Sequence, residues 1–165
     1  MQIQLLPATQ KDFSAIASLA DQIWHKHYVP IIGEEQVNYM LGKIYSEAGL
    51  KEQLEVKKHS FYLIQDDSGK VIGFISISNE NATDYWIHKF YILDNQQGKG
   101  IGAKVFEEIK SKMPGMKCIR LTVNRQNHKS INFYFKIGFV IEQVADFDIG
   151  NGYFMNDFVM IWKRR

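Results

Sequence analysis

Apolar positions recur along this chain with two periods, and the switch between them divides it. Ile16, Leu19, Ala20 and Ile23 fall at helical spacing, so a helix with one buried face is predicted there. Thr9 precedes it as an N-cap, with Asp12 three residues on as a short-armed capping box. Pro30 and Gly33 then break the chain. "EEQVNYMLGKIYS" and "SEAGLKEQLEVKK" predict two shorter helices, the second capped by Ser46. A short strand, "IQLLPA", comes before all of these.

From His59 the period changes to two. "HSFYLIQ" and "VIGFISIS" flank "DDSGK" and predict a hairpin; "TDYWIHKFYIL" predicts a third, longer strand. A helix follows from about Gly98 to Lys112, with Ala103, Val105, Phe106 and Ile109 inside, ended by Pro114 and Gly115. "KCIRLTVN" is the next strand and "HKSINFYFKI" the next helix, stopped by Gly138. "FVIEQVADFDI", the turn "GNG" and "YFMNDFVMIWK" predict a closing hairpin. This order implies one mixed α/β sheet covered by helices on both sides, with residues 1–165 as a single domain.

Composition narrows the function classes. Apolar residues make up 45% and aromatics 13% of the 165 residues, ample for a core. A net charge of +2, with acids and bases interspersed, offers no electrostatic case for nucleic acid or an anionic membrane. The single cysteine, Cys118, excludes an internal disulfide and suits a reducing cytoplasm. The N-terminal "MQIQLLPATQKDF" lacks the features of a signal peptide, and no apolar run reaches the ~18 residues of a membrane span. These observations predict a soluble cytoplasmic protein.

The segment "DNQQGKGIGAKVFEEI" carries the chemistry. Gly98, Gly100 and Gly102 alternate just before a helix. The spacing is G-x-G-x-G, not the dinucleotide G-x-G-x-x-G, and Lys99 is followed by Gly100 rather than the Ser or Thr of a P-loop. A tight strand-to-helix turn with no ligand is the plain reading. Free amides and the positive dipole end at such a helix start nevertheless suit an anion, with Gln97 and Lys99 as further donors.

"QGKGIG" resembles the Q/R-x-x-G-x-G/A motif of the GCN5-related N-acetyltransferases, with Gln97, Gly100 and Gly102 at its fixed positions. "LTVNRQNHKSINFYFKIGF" is similar to the family's later segment through Asn127, Tyr134, Gly138 and Phe139. The resemblance spans about Asp84 to Phe139, and element order extends it over the chain. It implies a mostly antiparallel central sheet with a splayed strand pair holding acetyl-CoA as cosubstrate. The pyrophosphate would lie on the amides of Gly98, Lys99, Gly100, Ile101, Gly102 and Ala103. The pantetheine arm would run beside Phe90, Tyr91 and Ile92, in the manner of an added strand. Asn127 would bond the arm or hold the next loop, or simply cap its helix.

Acetyl transfer to an amine needs a base for the ammonium, a donor for the oxyanion and an acid for the thiolate. By resemblance Tyr134 is the acid; its alternative is a packed core tyrosine. A backbone N–H near Tyr91 or Ile92 would serve the oxyanion. His88 is the candidate base. It shares a strand face with Phe90 and Ile92, and the family carries acids or histidine near there, whereas Trp86 occupies the position two residues earlier. If His88 is structural, water, Glu35, Asp84 or a C-terminal acid would take the proton. "IWHKHYVPIIGEEQVNYML" falls where the family covers its acceptor. His25 and His27 complete no metal set there, so no metal is expected, and Trp24, Tyr28 and Tyr39 are read as core or pocket wall. Cys118 is read as an inert buried thiol.

The expected activity is acetyl transfer from acetyl-CoA to a primary amine of a small molecule. "EEQVNYML" and "YFMNDFVM" loosely resemble polyamine acetyltransferases of bacteria. Protein N-termini, lysine side chains, amino acids, aminoglycosides, a longer acyl donor and a non-catalytic acyl-CoA sensor are the alternatives. The closing hairpin is a candidate homodimer edge.

Overall fold

A computed structural model describes residues 2–165. Its elements are β1 (Ile3–Pro7), α1 (Phe13–His27), α2 (Val29–Ile32), α3 (Glu34–Ile44), α4 (Glu47–Glu55), β2 (Ser60–Asp66), β3 (Val71–Asn79), β4 (Asp84–Ile92), α5 (Ile101–Lys112), β5 (Cys118–Asn124), α6 (His128–Lys136), β6 (Val140–Gly150) and β7 (Tyr153–Lys163). The order is the predicted one, and the class is mixed α/β with an open, mostly antiparallel sheet.

Three local expectations change. Thr9 caps a 3-10 turn, Gln10–Asp12, that leads into α1, and its N–H donates to Asp12 Oδ2 at 2.8 Å. Pro30 lies in the first turn of the short α2, where its missing N–H costs no helical bond. The glycine-rich helix starts at Ile101 rather than near Gly98, because Gly98 and Gly100 stand at φ +78° and +73°, outside the right-handed helical region. Ser46 caps α4 as expected, accepting from Gly49 N at 3.1 Å.

The chain divides into two compact units. The first comprises the chain up to Ser78 together with Lys89–Pro114. Here β1 pairs antiparallel with β2, and β2 with β3. Ile16 and Ala20 of α1, Val37 of α3 and Leu50 of α4 are fully buried, as are Phe74 and Val105. That burial, about 1.5–3 kcal/mol for each large side chain, holds the short helices in place better than their own propensity does.

The second unit comprises Asn79–His88 and Gly115–Arg165. Its start of β4 pairs parallel with β5 (Asp84↔Cys118 to Ile87↔Leu121), β5 pairs antiparallel with β7, and β7 with β6. The β4–β5 pairing stops at Ile87, although β4 continues to Ile92 and β5 to Asn124. Ile87, Ile119, Leu121, Phe139 and Met160 form this unit's core. Edge strand β6 leaves Val140, Val144 and Phe147 exposed.

Candidate active site

In the first unit, α1 and the segment after β4 are tied together by charge. Lys26 Nζ lies 2.6 Å from Asp94 Oδ2, and His27 pairs with Asp94 Oδ1. Burial pushes the Asp94 carboxyl up, but Lys26 and His27 outweigh it and hold it below its ordinary value. Gln97 Nε2 donates back to Ile92 O at 2.9 Å. Gln97 therefore pins the turn, while Lys99 is exposed and bonds Gln96 Oε1 at 3.0 Å.

These anchors deliver the chain to Gly100, the left-handed N-cap of α5. A side chain there would be strained by φ +73°. Lys104 N–H makes a helical bond to Gly100 O at 3.2 Å, so the amides of Ile101, Gly102 and Ala103 precede the helical ladder. They stand together at the positive end of a 12-residue helix. Three amides, a lysine and an open turn fit a diphosphate.

Beside this turn lie Phe90, Tyr91 and Ile92, all partly exposed. Gly73 of β3 allows the backbone approach here: a Cβ at Gly73 would stand 2.2 Å from Tyr91 O. Tyr91 also packs on Phe74 and Trp24, at 5.5 and 6.2 Å between ring centroids. Trp24 is core, as read, and stacks on Tyr28 at 4.7 Å. Tyr39 lies under Lys43, at 5.7 Å. His25 bonds Asp21 O and Asn38 Oδ1, both at 2.9 Å. Glu35 is exposed at the start of α3.

In the second unit, His88 is exposed on β4. Trp86 donates to Glu80 Oε1 at 2.7 Å. Asp84 is occupied: it accepts from Asn81 at 2.6 Å and from the Cys118 thiol at 2.8 Å, which holds the carboxyl below its ordinary value. Burial, then Asp84, pushes the Cys118 thiol up, in keeping with an inert cysteine. Asn127 caps α6, accepting from Ser130 N at 3.1 Å. Tyr134 is 8% exposed on α6, with Phe133 and Phe139 at 5.3 and 5.6 Å.

The profile of the acetyltransferase (GNAT) family matches residues 23–139. This chain belongs to the GNAT family. It is an acetyl-CoA-dependent N-acetyltransferase. It is similar to the spermidine N(1)-acetyltransferase of Thermoplasma acidophilum, 26% identical over 90% of this chain and 94% of that protein. An uncharacterized N-acetyltransferase of Mycobacterium tuberculosis is 24% identical over 91% of this chain and 96% of its own length. The crystal structure of the PaiA N-acetyltransferase from Thermoplasma acidophilum in complex with coenzyme A superposes with a TM-score of 0.79. It is 26% identical, covering 99% of this chain and 100% of that one.

Two buried ionisable groups of this acetyltransferase escape motif reading. Lys89 lies in the first unit, 7% exposed, where its ammonium meets Gln53 Oε1 and the rings of Tyr45 and Phe61, each at 5.6 Å. Asp157 lies in the second, 5% exposed. Their only sequence signal is a charge within a strand whose neighbours on the same face are apolar. Among the described residues no helix is long and apolar enough to cross a membrane.

Proposed function

We propose that the acceptor is a primary amine of a small cationic molecule of the polyamine type. The reading is supported by the similarity to a spermidine N(1)-acetyltransferase across nine-tenths of the chain. The observation that carries donor binding is the amide cluster after left-handed Gly100. Acetyl-CoA supplies an activated thioester. Its diphosphate is assigned to the amides from Gly98 to Ala103, with Lys99 as an exposed counter-charge, and its pantetheine arm to the backbone of Phe90, Tyr91 and Ile92.

His88 is assigned as the base. An alkylammonium with a pKa of roughly 10 arrives charged at neutral pH and must lose a proton before its nitrogen can attack. As the new N–C bond forms and the C–S bond breaks, a backbone N–H near Tyr91 or Ile92 holds the oxyanion and the Tyr134 hydroxyl donates its proton to the departing sulfur. Asn127 keeps its helix cap and contributes to the pantetheine side through the loop it fixes.

The test is thiol release from acetyl-CoA against a panel of small amines, lysine peptides and peptides with free N-termini. Fastest turnover with di- or polyamines is the expected result. Preference for a peptide would replace this reading with protein acetylation, and CoA binding without any turnover would make the chain a sensor.

A further inference from the structure

Strand register in the second unit brings a set of polar side chains to one face. Residues paired across strands share a face. Asp84↔Cys118 and Trp86↔Arg120 put Asp84, Trp86 and, by alternation, His88 on the face of Cys118, Arg120, Thr122 and Asn124. Arg120↔Ile161, Thr122↔Val159 and Asn124↔Asp157 extend that face onto β7. The opposite face holds Ile87, Ile119, Leu121 and Val123, none more than 5% exposed. On the first face His88 and Thr122 are exposed.

Asp157 is the anomaly on this face. It is 5% exposed, and its Oδ1 is buried with no hydrogen-bond partner among the described residues. Its carboxylate is bonded by the hydroxyl of Thr122. Burial pushes the carboxyl up to about 6. The charges facing it are Arg125 and Asp146, and Arg125 is engaged by Asp146 at 2.7 Å. A buried carboxylate oxygen left without a donor is costly. A fold retains such a group where something else satisfies it.

We propose that Asp157 and Thr122 form a recognition subsite for the second, non-reacting ammonium of a diamine acceptor, a role that rests on the small-cationic-amine reading above. Thr122 donates its hydroxyl proton to Asp157, so its oxygen lone pairs remain free to accept from an ammonium, and the carboxylate behind balances the charge. Two strand spacings and a two-residue offset separate Asp157 from His88 by at least roughly 12 Å at Cα. That distance is too long for both groups to hold one nitrogen. It suits two side chains reaching toward the ends of a short alkyl diamine. Asp157 is therefore a specificity-determining residue and His88 the residue at the reacting nitrogen.

The experiment compares 1,4-diaminobutane with butylamine as acceptors for wild type, Asp157→Asn and Thr122→Val. The wild-type preference for the diamine in kcat/KM should collapse at least tenfold in both variants, through the diamine KM. The diamine KM of wild type should also rise below about pH 6, as Asp157 takes up its proton. Titration of CoA-loaded protein with 1,4-diaminobutane, followed by NMR, reads binding without turnover. Thr122 is exposed, so its variant carries the test if Asp157→Asn does not fold. An unchanged diamine preference in the variants, or equal losses for both amines, would overturn the subsite while leaving amine acetylation standing. Turnover of neither amine, with no NMR binding of the diamine, would overturn both.

Discussion

Lys89 and Asp157 are both buried charges on strands, one in each compact unit, and the fold treats them differently. Lys89 is enclosed: two aromatic rings flank its ammonium, and Gln53 bonds it while donating to Ile44 O and Gly49 O at 2.7 and 3.0 Å. Burial and the charge of Lys57 push it down to about 7, so it approaches neutrality in place. Asp157 keeps an oxygen unpartnered and is held by one exposed hydroxyl. The contrast distinguishes a buried charge that the fold itself satisfies from one left for a ligand. It extends to the proposed roles: the diphosphate is assigned mainly to backbone amides, whereas His88 and Tyr134 would act through side chains. A backbone site tolerates many substitutions but not an intruding side chain, whereas a side-chain site fails at single atoms.

The largest expected effect tests the backbone half. Gly100→Glu brings strain and a carboxylate to the amide cluster, and acetyl-CoA affinity should fall on the order of 100-fold or more by calorimetry. Wild-type affinity in a folded variant would move the diphosphate elsewhere. Tyr134→Phe tests the side-chain half. Its ring still packs on Phe139, so CoA affinity should hold while turnover drops on the order of 100-fold. Equal turnover would show that the thiolate leaves without this donor.

His88→Gln should cost about tenfold or more at neutral pH and recover partly at high pH, where free amine is present unaided. Parallel pH–rate profiles differing by less than about twofold would make His88 structural. Lys89→Met tests the enclosed charge. Folded Lys89 titrates below its unfolded value, so the unfolded chain binds more protons between about pH 7 and 10.5 and stability from this group rises with pH across that window. Wild-type Tm should show that rise, and the variant should lose it. An identical pH dependence of Tm in both would mean that Lys89 is not desolvated as its surroundings indicate.

The smallest effect separates function from stability at Asp157. Its folded value is raised, so its stabilising contribution is complete below about pH 3.8 and lost as pH climbs through about 6. Asp157→Asn, which resembles the neutral form, should gain about 1 kcal/mol at pH 7, a Tm increase of about 2–4 °C. Its stability should change less between pH 4 and 6 than that of wild type. Marked destabilisation instead would mark Asp157 as structural and collapse its contrast with Lys89.

Where local structure follows from spacing, the sequence was legible. The glycine segment, Asn127 and Tyr134 stand in the strand–turn–helix context expected of them, because turns and caps are set by residues a few positions apart. The roles of Gln97 and Gly73 were not legible. Gln97 is expected as a phosphate donor, and in the structure its amide also donates to Ile92 O, which pins the turn. Gly73 lies within "VIGFISIS", and nothing in that strand pattern signals that it allows close passage by Tyr91 O. The close passage at Gly73 depends on a backbone atom that arrives from another strand, outside the local segment.

By itself the sequence determined the order of elements, the class of fold and the family, because periodicity, capping and the two spaced motifs are short-range properties. It also determined which residues carry protons: His88, Tyr134, Lys89 and Asp157 are visible as types. Only the tertiary structure decided which of these charges is satisfied. Asp157 and Thr122 are 35 positions apart, and strand register alone puts them on one face. Lys89 and Gln53 are 36 apart and meet only when α4 packs beside β4. Desolvation depends on everything packed around a group, and no local pattern records it.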